Sequence, residues 1–539
     1  MNIELELKTK LKDALKSLGQ EVELSSIVIE HSKNKEHGDY ASNVAMQMAR
    51  NMHKAPKMIA EDIVNVINMD GVDKIEIAGP GFLNFFMKSS SLSSGIKNII
   101  ELGDNYGRAN SNGKRINVEF VSANPTGNLH LGHARCAAIG DSICRLYDWA
   151  GYDVTREYYI NDAGVQIAHL RDSIRARYLS LLGIPTEVPS DGYLGLDIIE
   201  VAKKMIEQVG DKYIKDSKES MEYFTNEGMR LELEQIKKDL SLYRVEFDVY
   251  SSELKVRSNN AVEKTLEEYK DYIYEQDGAK FLRTTAFLDD KDRAIVKSDG
   301  QYTYFTPDIT YHLNKLSRNY DYLIDILGAD HHGYINRMKS ALMMKGYSAD
   351  TLEIELVQVV RLMKNGEEVK MSKRTGNAIT LRELCEEVGV DAARYFFVDR
   401  GASSHLDFAY DLARQQNSSN PVYYAQYAHA RLSKIFEKCD IEPDINGTNL
   451  KEKPEMDLLK HLFEFPNLVL SAAKERAPQK VTQYIQTLAS LIHGFYTECR
   501  VISEDNIEVT KSRLALALAS KITLKNALSI IGVSAPTSM

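Results

Sequence analysis

The sequence is poor in cysteine, has a single tryptophan and carries no long apolar run. Its five cysteines (Cys136, Cys144, Cys385, Cys439, Cys499) are scattered, with no C-x-x-C pair. That spacing excludes both a disulfide framework and a cysteine zinc site. No apolar stretch approaches the ~18 residues a membrane span requires. Met1 to Lys12 alternates charge with leucine and lacks the apolar core of a secretory signal, so a cytoplasmic protein without membrane attachment is expected. Internal repeats and long low-complexity tracts are also missing. What is present is length: 539 residues are too many for one core and imply roughly three or four domains.

A net charge of −10 argues at first against a nucleic-acid partner, because phosphate contacts need lysine and arginine. Location matters more than the total. Residues 186–290 hold 24 Asp and Glu against 15 Lys and Arg, whereas residues 391–539 hold 17 of each. Nearly all the acidity lies in one central stretch, so the ends are free to present basic faces.

Residues 1–105 read as a small α+β unit. A helical period (Leu5, Leu7, Leu11, Leu15, Leu18) opens it, and two strands flank a Gly79-Pro80-Gly81 turn. From Arg115 strands alternate with helices. Strands are expected at 116–120, 154–160, 322–327 and 352–362, and helices at 131–150 and 335–345. This alternation predicts a parallel sheet with helices on both faces. The acidic stretch 186–290 reads as a helical insertion into residues 106–390. Beyond Asp391 the periodicity is all helical: a connecting segment at 391–415, whose helix Asp391 starts as an acidic cap, then a bundle at 416–539.

The sharpest motif is Ser122-Ala-Asn-Pro-Thr-Gly-Asn-Leu-His-Leu-Gly-His133, between a strand and a helix. His130 and His133 share one side of the first helical turn, and Gly132 lets a flat ligand reach the backbone. The helix N-terminus favours phosphate. Two imidazoles donating hydrogen bonds here suit a nucleotide polyphosphate. An H-x-x-H zinc pair is the alternative, with Asp330-His331-His332 as a source of the third ligand zinc would need. The second motif is Val369-Lys-Met-Ser-Lys-Arg374, after an Asn365-Gly366 turn and before a helix that Thr380 can cap. Such a loop can close over a triphosphate and stabilise the departing pyrophosphate; alone it could equally be a basic surface loop. The stretch Gly107-Arg-Ala-Asn-Ser-Asn-Gly-Lys-Arg115 is no Walker loop, since its spacing is wrong and it precedes a strand.

H-x-G-H and K-M-S-K together resemble class I aminoacyl-tRNA synthetases. With Gly328-Ala-Asp-His-His-Gly-Tyr, Asp391-Ala-Ala-Arg and Asn420-Pro-Val-Tyr-Tyr-Ala-Gln-Tyr-Ala-His-Ala-Arg431, the resemblance is to the arginyl-tRNA synthetases and runs nearly end to end. It implies a multidomain chain: an N-terminal α+β accessory domain, an α/β dinucleotide-fold catalytic domain with an acidic insertion, and a C-terminal all-α anticodon-binding bundle. It implies ATP with Mg²⁺ as a substrate complex, L-arginine and tRNA(Arg) as partners, no structural metal, and a monomer. ATP would lie on Ala123, Asn124, Pro125, Thr126, Gly127, Asn128, Leu129, His130, Leu131, Gly132 and His133, on Asp330, His331 and His332, and on Lys370, Met371, Ser372 and Lys373. His130, His133, Lys370 and Lys373 would be catalytic. Glu119, Ser122, Asn124 and His130 would line the amino-acid end, and Tyr304 and Asp308 would hold the guanidinium. A planar, permanently charged guanidinium matches a carboxylate fork. The alternative for Asp308 is a helix cap after Pro307. Phe82 and Asn84, and Tyr424 and Arg431, would meet tRNA. For the first pair the alternative is strand core and a turn cap. Competing functions are another class I synthetase, for lysine or cysteine, a non-catalytic RNA-binding relative, and a metal-dependent hydrolase.

Overall fold

The computed structural model describes residues 3–31, 37–69, 71–369, 379–503 and 505–539. Its first unit sets α1 (Ile3–Ser17), α2 (Val44–Met52) and α3 (Pro56–Val66) with an antiparallel sheet ordered β1-β2-β4-β3. These strands are β1 (Glu30–His31), β2 (Tyr40–Ser42), β3 (Val72–Ala78) and β4 (Phe82–Met87). Leu7, Leu11 and Leu15, four apart, are fully buried, while Leu5 faces solvent. The β3–β4 turn needs glycine at position 81, where φ is +133° and a Cβ would come within 2.9 Å of the Pro56 backbone.

Helix α4 (Ser89–Leu102) leads into the second unit, built on a five-stranded parallel sheet. In chain order come β5 (Arg115–Glu119), α5 (Leu131–Trp149), β6 (Asp153–Ile160), α6 (Val165–Leu181), α7 (Leu196–Val209), α8 (Lys218–Leu242) and β7 (Val249–Ser252). Then follow α9 (Glu253–Val256), α10 (Ala261–Glu268), β8 (Ile273–Gln276), β9 (Ala279–Leu282), β10 (Arg293–Val296), α11 (Phe305–Ser317), β11 (Tyr322–Gly328), α12 (Ile335–Met344) and β12 (Leu352–Val357). The sheet order is β12-β11-β5-β6-β7. Ile116, Val118, Leu323, Ile324 and Ile326 are buried in it, as expected for strands covered on both faces. Because β5 comes first yet lies between β11 and β6, the strand order reverses there. The crevice at the carboxyl ends of β5 and β11 is the place where such sheets bind ligands.

Four expectations are corrected. The acidic stretch 186–290 is not wholly an insertion: α7 and α8 pack together, but β7 returns as the sheet's fifth strand, and β8–β10 form a separate antiparallel sheet. Charge composition carries no information on strand pairing, so the acidity concealed Val249–Ser252. The strand expected at 352–362 is two: β12 stays in the parallel sheet, whereas β13 (Val360–Lys364) leaves it to pair with β14 (Glu367–Glu368) and β15 (Leu406–Ala409). β15 in turn interrupts the all-helical reading after Asp391. Between them lie α13 (Leu381–Val388) and α14 (Val390–Val398). Gly389, not Asp391, takes the N-cap position of α14. The Asp391 carboxylate instead accepts from Arg244, Gln426 and Ser534.

After α15 (Tyr410–Ala413), the bundle is α16 (Pro421–Glu437), α17 (Lys453–Lys474), α18 (Gln479–Glu498) and α19 (Ile507–Ile530). Among the described residues no helix is long and apolar enough to cross a membrane. The fully buried Arg394 joins the bundle to the sheet. It donates to Asp141 of α5 at 2.5 Å, to the Tyr243 carbonyl at 2.9 Å and to the Ile531 carbonyl at 3.0 Å. Gly532 is required beside it, because a Cβ there would fall 2.3 Å from the guanidinium. Truncating Arg394 to Ala would orphan two buried carbonyls and weaken a buried ion pair, a cost of about 3 kcal/mol. The urea midpoint of Arg394→Ala is expected to fall accordingly; an unchanged midpoint would contradict this account.

Candidate active site

Parallel register places three buried carboxylates in one row across adjacent strands, at the carboxyl end of β5 and midway along β11 and β6. Asp325 of β11 pairs with Glu119 of β5, and Glu119 with Glu157 of β6. Like charges side by side on neighbouring strands repel, so the row needs cations, and α11 with its C-terminal residue supplies them. Lys315, fully buried, contacts Glu119 at 2.5 Å and Asp325 at 2.8 Å. Arg318 contacts Glu157 at 2.7 Å. His312 donates from Nδ1 to the Asp308 carbonyl and from Nε2 to Asp325, each at 2.7 Å. A carbonyl only accepts, so both ring nitrogens carry protons, and the Asp325 carboxylate raises the His312 pKa against the opposing effect of burial. Three anions thus face three cations. Glu253, nearby, is paired with Arg257.

Asp308 stands apart from this balance. It sits one turn into α11, which begins after Tyr304 rather than at Asp308, so the helix-cap reading does not hold. Its half-buried carboxylate has no hydrogen bond or ion pair among the described residues. Burial chiefly, and then Glu119 and Glu253, push its pKa up to about 6 against His312 and Arg337. Tyr304, one turn earlier, is 86 % exposed. The structure does not bring its ring into a packed slot with Asp308.

The loop after β5 starts with strained backbone: Val121 and Ser122 have φ of +67° and +38°, costly for a β-branched residue. That kink lets the Ser122 hydroxyl donate to Glu119 and accept from the Tyr159 N–H, both at 3.0 Å. Ala123 is held through its carbonyl by the Tyr158 hydroxyl, and Asn124 donates to Gln166. At the start of α5, His130 Nδ1 accepts from Gly132 N–H at 3.1 Å and His133 Nδ1 accepts from His130 N–H at 3.3 Å. The rings stack with centroids 3.7 Å apart. Accepting at Nδ1 places the proton on Nε2, leaving two neutral donors. Burial lowers both pKa values, that of His133 to about 3.

His130, Leu131 and Gly132 line a cavity of about 260 Å³ with Val360, Val369 and Ile379. Lys370, Met371, Ser372 and Lys373 lie outside the described residues, but Val369 and Ile379 on either side of that segment meet the histidine-bearing loop in this cavity. Leu381 N–H donates to the Leu129 carbonyl at 2.7 Å, and Thr380 caps α13 as expected. Asp330, His331 and His332 occupy an exposed 3₁₀ turn after β11. Among the described residues no group of three or more His, Cys, Asp or Glu could hold a metal.

Comparison with known proteins agrees with this geometry. Residues 95–401 match the family model "tRNA synthetases class I (R), catalytic domain", residues 5–87 "Arginyl tRNA synthetase N terminal domain", and residues 425–539 "DALR anticodon binding domain". The chain is 50 % identical to the arginine–tRNA ligase of Anoxybacillus flavithermus and 49 % identical to that of Bacillus subtilis, each match covering 100 % of both chains. The chain belongs to the arginyl-tRNA synthetase family. The solved Thermus thermophilus arginyl-tRNA synthetase has the same fold, with a TM-score of 0.78 at 20 % identity over 99 % of both chains.

Outside the catalytic unit the site residues divide. Asn84 is only 3 % exposed, and strand alternation puts it on the face of the half-buried Phe82 and Phe86 rather than on the core face of Leu83 and Phe85. Phe82 is half-buried at the start of the strand. Tyr424 packs on His493, and Arg431 lies 3.6 Å from the Tyr496 ring centroid. Tyr427, not anticipated, is exposed and stacks with Tyr423 at 8°. Also unanticipated were Glu157, Tyr311, His312, Lys315, Arg318 and Asp325. Helical spacing from Asp308 (308, 311, 312, 315) holds most of the signal that finds them.

Because its folded pKa is raised, ionising Asp308 costs stability. The cost is absent below the ordinary carboxylate value near 4, grows as pH rises, and is complete above about 6. Asp308→Asn is therefore expected to melt higher than the parent at pH 8, with the difference vanishing near pH 4, while the KM for arginine rises about 10²-fold. A variant that melts lower at pH 8 would refute the uncompensated charge.

Proposed function

We propose that this chain ligates L-arginine to tRNA(Arg) through an arginyl-adenylate, consuming ATP and releasing AMP and pyrophosphate. The observation that carries this reading is a carboxylate, Asp308, with no partner among the described residues beside an otherwise balanced charge row; the histidine pair at the start of α5 adds two donors. An empty anionic slot favours a cation, and the family relation makes that cation arginine.

The arginine carboxylate attacks the α-phosphate in line, and pyrophosphate departs. Neutral His130 and His133 donate from Nε2 to phosphoryl oxygens, where charge builds up in the transition state. Lys370 and Lys373 neutralise the leaving pyrophosphate. Mg²⁺ arrives with ATP as part of the substrate, held by phosphate oxygens. Ala123 to Leu129, Asp330, His331, His332, Met371 and Ser372 bind the nucleotide. Glu119, Ser122 and Asn124 orient the amino-acid end, and Asp308 with Tyr304 takes the guanidinium. No protein nucleophile is required, so positioning and electrostatics supply the rate. A terminal ribose hydroxyl, the 2′-OH, then attacks the arginyl carbonyl and AMP leaves. Phe82, Asn84, Tyr424 and Arg431 contact the tRNA. Residues 1–105 serve as accessory domain, 106–390 as catalytic domain, 391–415 as connection and 416–539 as anticodon reader, in a cytoplasmic monomer.

Incubating the protein with ATP, total tRNA and each labelled amino acid is expected to yield charged tRNA with arginine alone. Charging with lysine or cysteine, or with none, would overturn the reading in favour of another synthetase or an RNA-binding relative. Lys373→Ala is expected to lower kcat for activation about 10²–10³-fold, the loss of one transition-state donor; an unchanged kcat would remove Lys373 from the mechanism.

A further inference from the structure

We propose that Lys315 is a positioning residue that sets specificity: by neutralising Glu119 and Asp325, it leaves Asp308 as the single carboxylate open to the substrate's cation. The inference rests on the arginine reading of the slot and adds to it the question of why the guanidinium goes to one carboxylate among several.

Glu119, Asp325 and Glu157 crowd one register row, and a bound guanidinium could settle on any carboxylate left unpaired. Lys315 prevents this for two of them, since its ammonium lies between Glu119 and Asp325 and the side chain is fully buried. It reaches them from α11, seven residues after Asp308 and hence on the same helix face. The Tyr311 ring, 4.6 Å from the ammonium, fills the turn between. Tyr311 also donates to Glu157 at 2.9 Å, and Arg318 completes that residue's pairing. Because Lys315 is inaccessible, it cannot touch substrate; it acts through Glu119 and through the field at Asp308. Removing its charge would leave a second uncompensated anion in the row. Either the row would take up a proton, or arginine would be drawn away from Asp308. Both outcomes make the slot less selective for a planar cation.

The test measures tRNA-dependent ATP–pyrophosphate exchange with arginine and with lysine, over pH 5 to 9, for Lys315→Met, Lys315→Gln and Asp308→Asn, with a melting curve for each. Lys315→Gln keeps amide donors without the charge and serves if the methionine variant does not fold. Titration in this slot also involves His312, Tyr334 and Arg337 on the helix side and Glu253 beyond β7, none of which is altered. Expected for either Lys315 variant is a fall in kcat/KM for arginine on the order of 10²-fold and an acid limb moved to higher pH. The preference for arginine over lysine should shrink, and the KM for ATP should stay within about twofold. A loss equal for arginine and ATP, with the acid limb and the preference unmoved, would show mere packing and overturn the proposal. If Asp308→Asn leaves the KM for arginine unchanged, the arginine reading of the slot itself fails. If Asp308→Asn raises it while the Lys315 variants shift neither limb nor preference, the role of Lys315 alone is refuted.

Discussion

Three carboxylates in one row across β11, β5 and β6 impose the constraint on which the active-site half of the molecule is organised. Separately, each would be an expensive buried charge; together they would repel the strands that carry them. Helix α11 and the residue that follows it resolve this with Lys315, His312 and Arg318. The same helix then presents Asp308 with no partner among the described residues. The cations that let the sheet form thus pair the row and leave Asp308 outside it.

The nucleotide side follows a different logic. Here the protein presents neutral donors, fixed by backbone N–H groups that occupy Nδ1 of both histidines. Fixing the tautomer through the helix cap removes any need to ionise the rings, which burial disfavours. In the proposed reaction these preorganised donors face the phosphates, and Lys370 and Lys373 add charge there. The link from this site to the bundle runs through α5, whose first turn bears the histidines and whose Asp141 holds Arg394 against the end of α19.

Much of this was legible in the sequence because it depends on local spacing. The strand–loop–helix around His130, the Gly79–Gly81 hairpin, the capping box at Thr380 and the four bundle helices all follow from periodicity and end signals. The charge row was not legible. Glu119, Glu157 and Asp325 are far apart in the chain, and their alignment is a matter of parallel register, which no single segment encodes. For the same reason β7 stayed hidden in an acidic stretch and β13 was read as a continuation of β12: strand pairing, not propensity, separates them. Arg394 was visible as a motif, but its partners in α5 and after α19 were not.

The claim that Asp308 carries the one unbalanced charge is tested most directly by calorimetry of arginine binding in buffers of different ionisation enthalpy. With its pKa near 6, binding a guanidinium should release about half a proton per arginine at pH 6 and almost none at pH 8. No proton release at pH 6, or uptake on binding, would contradict the account.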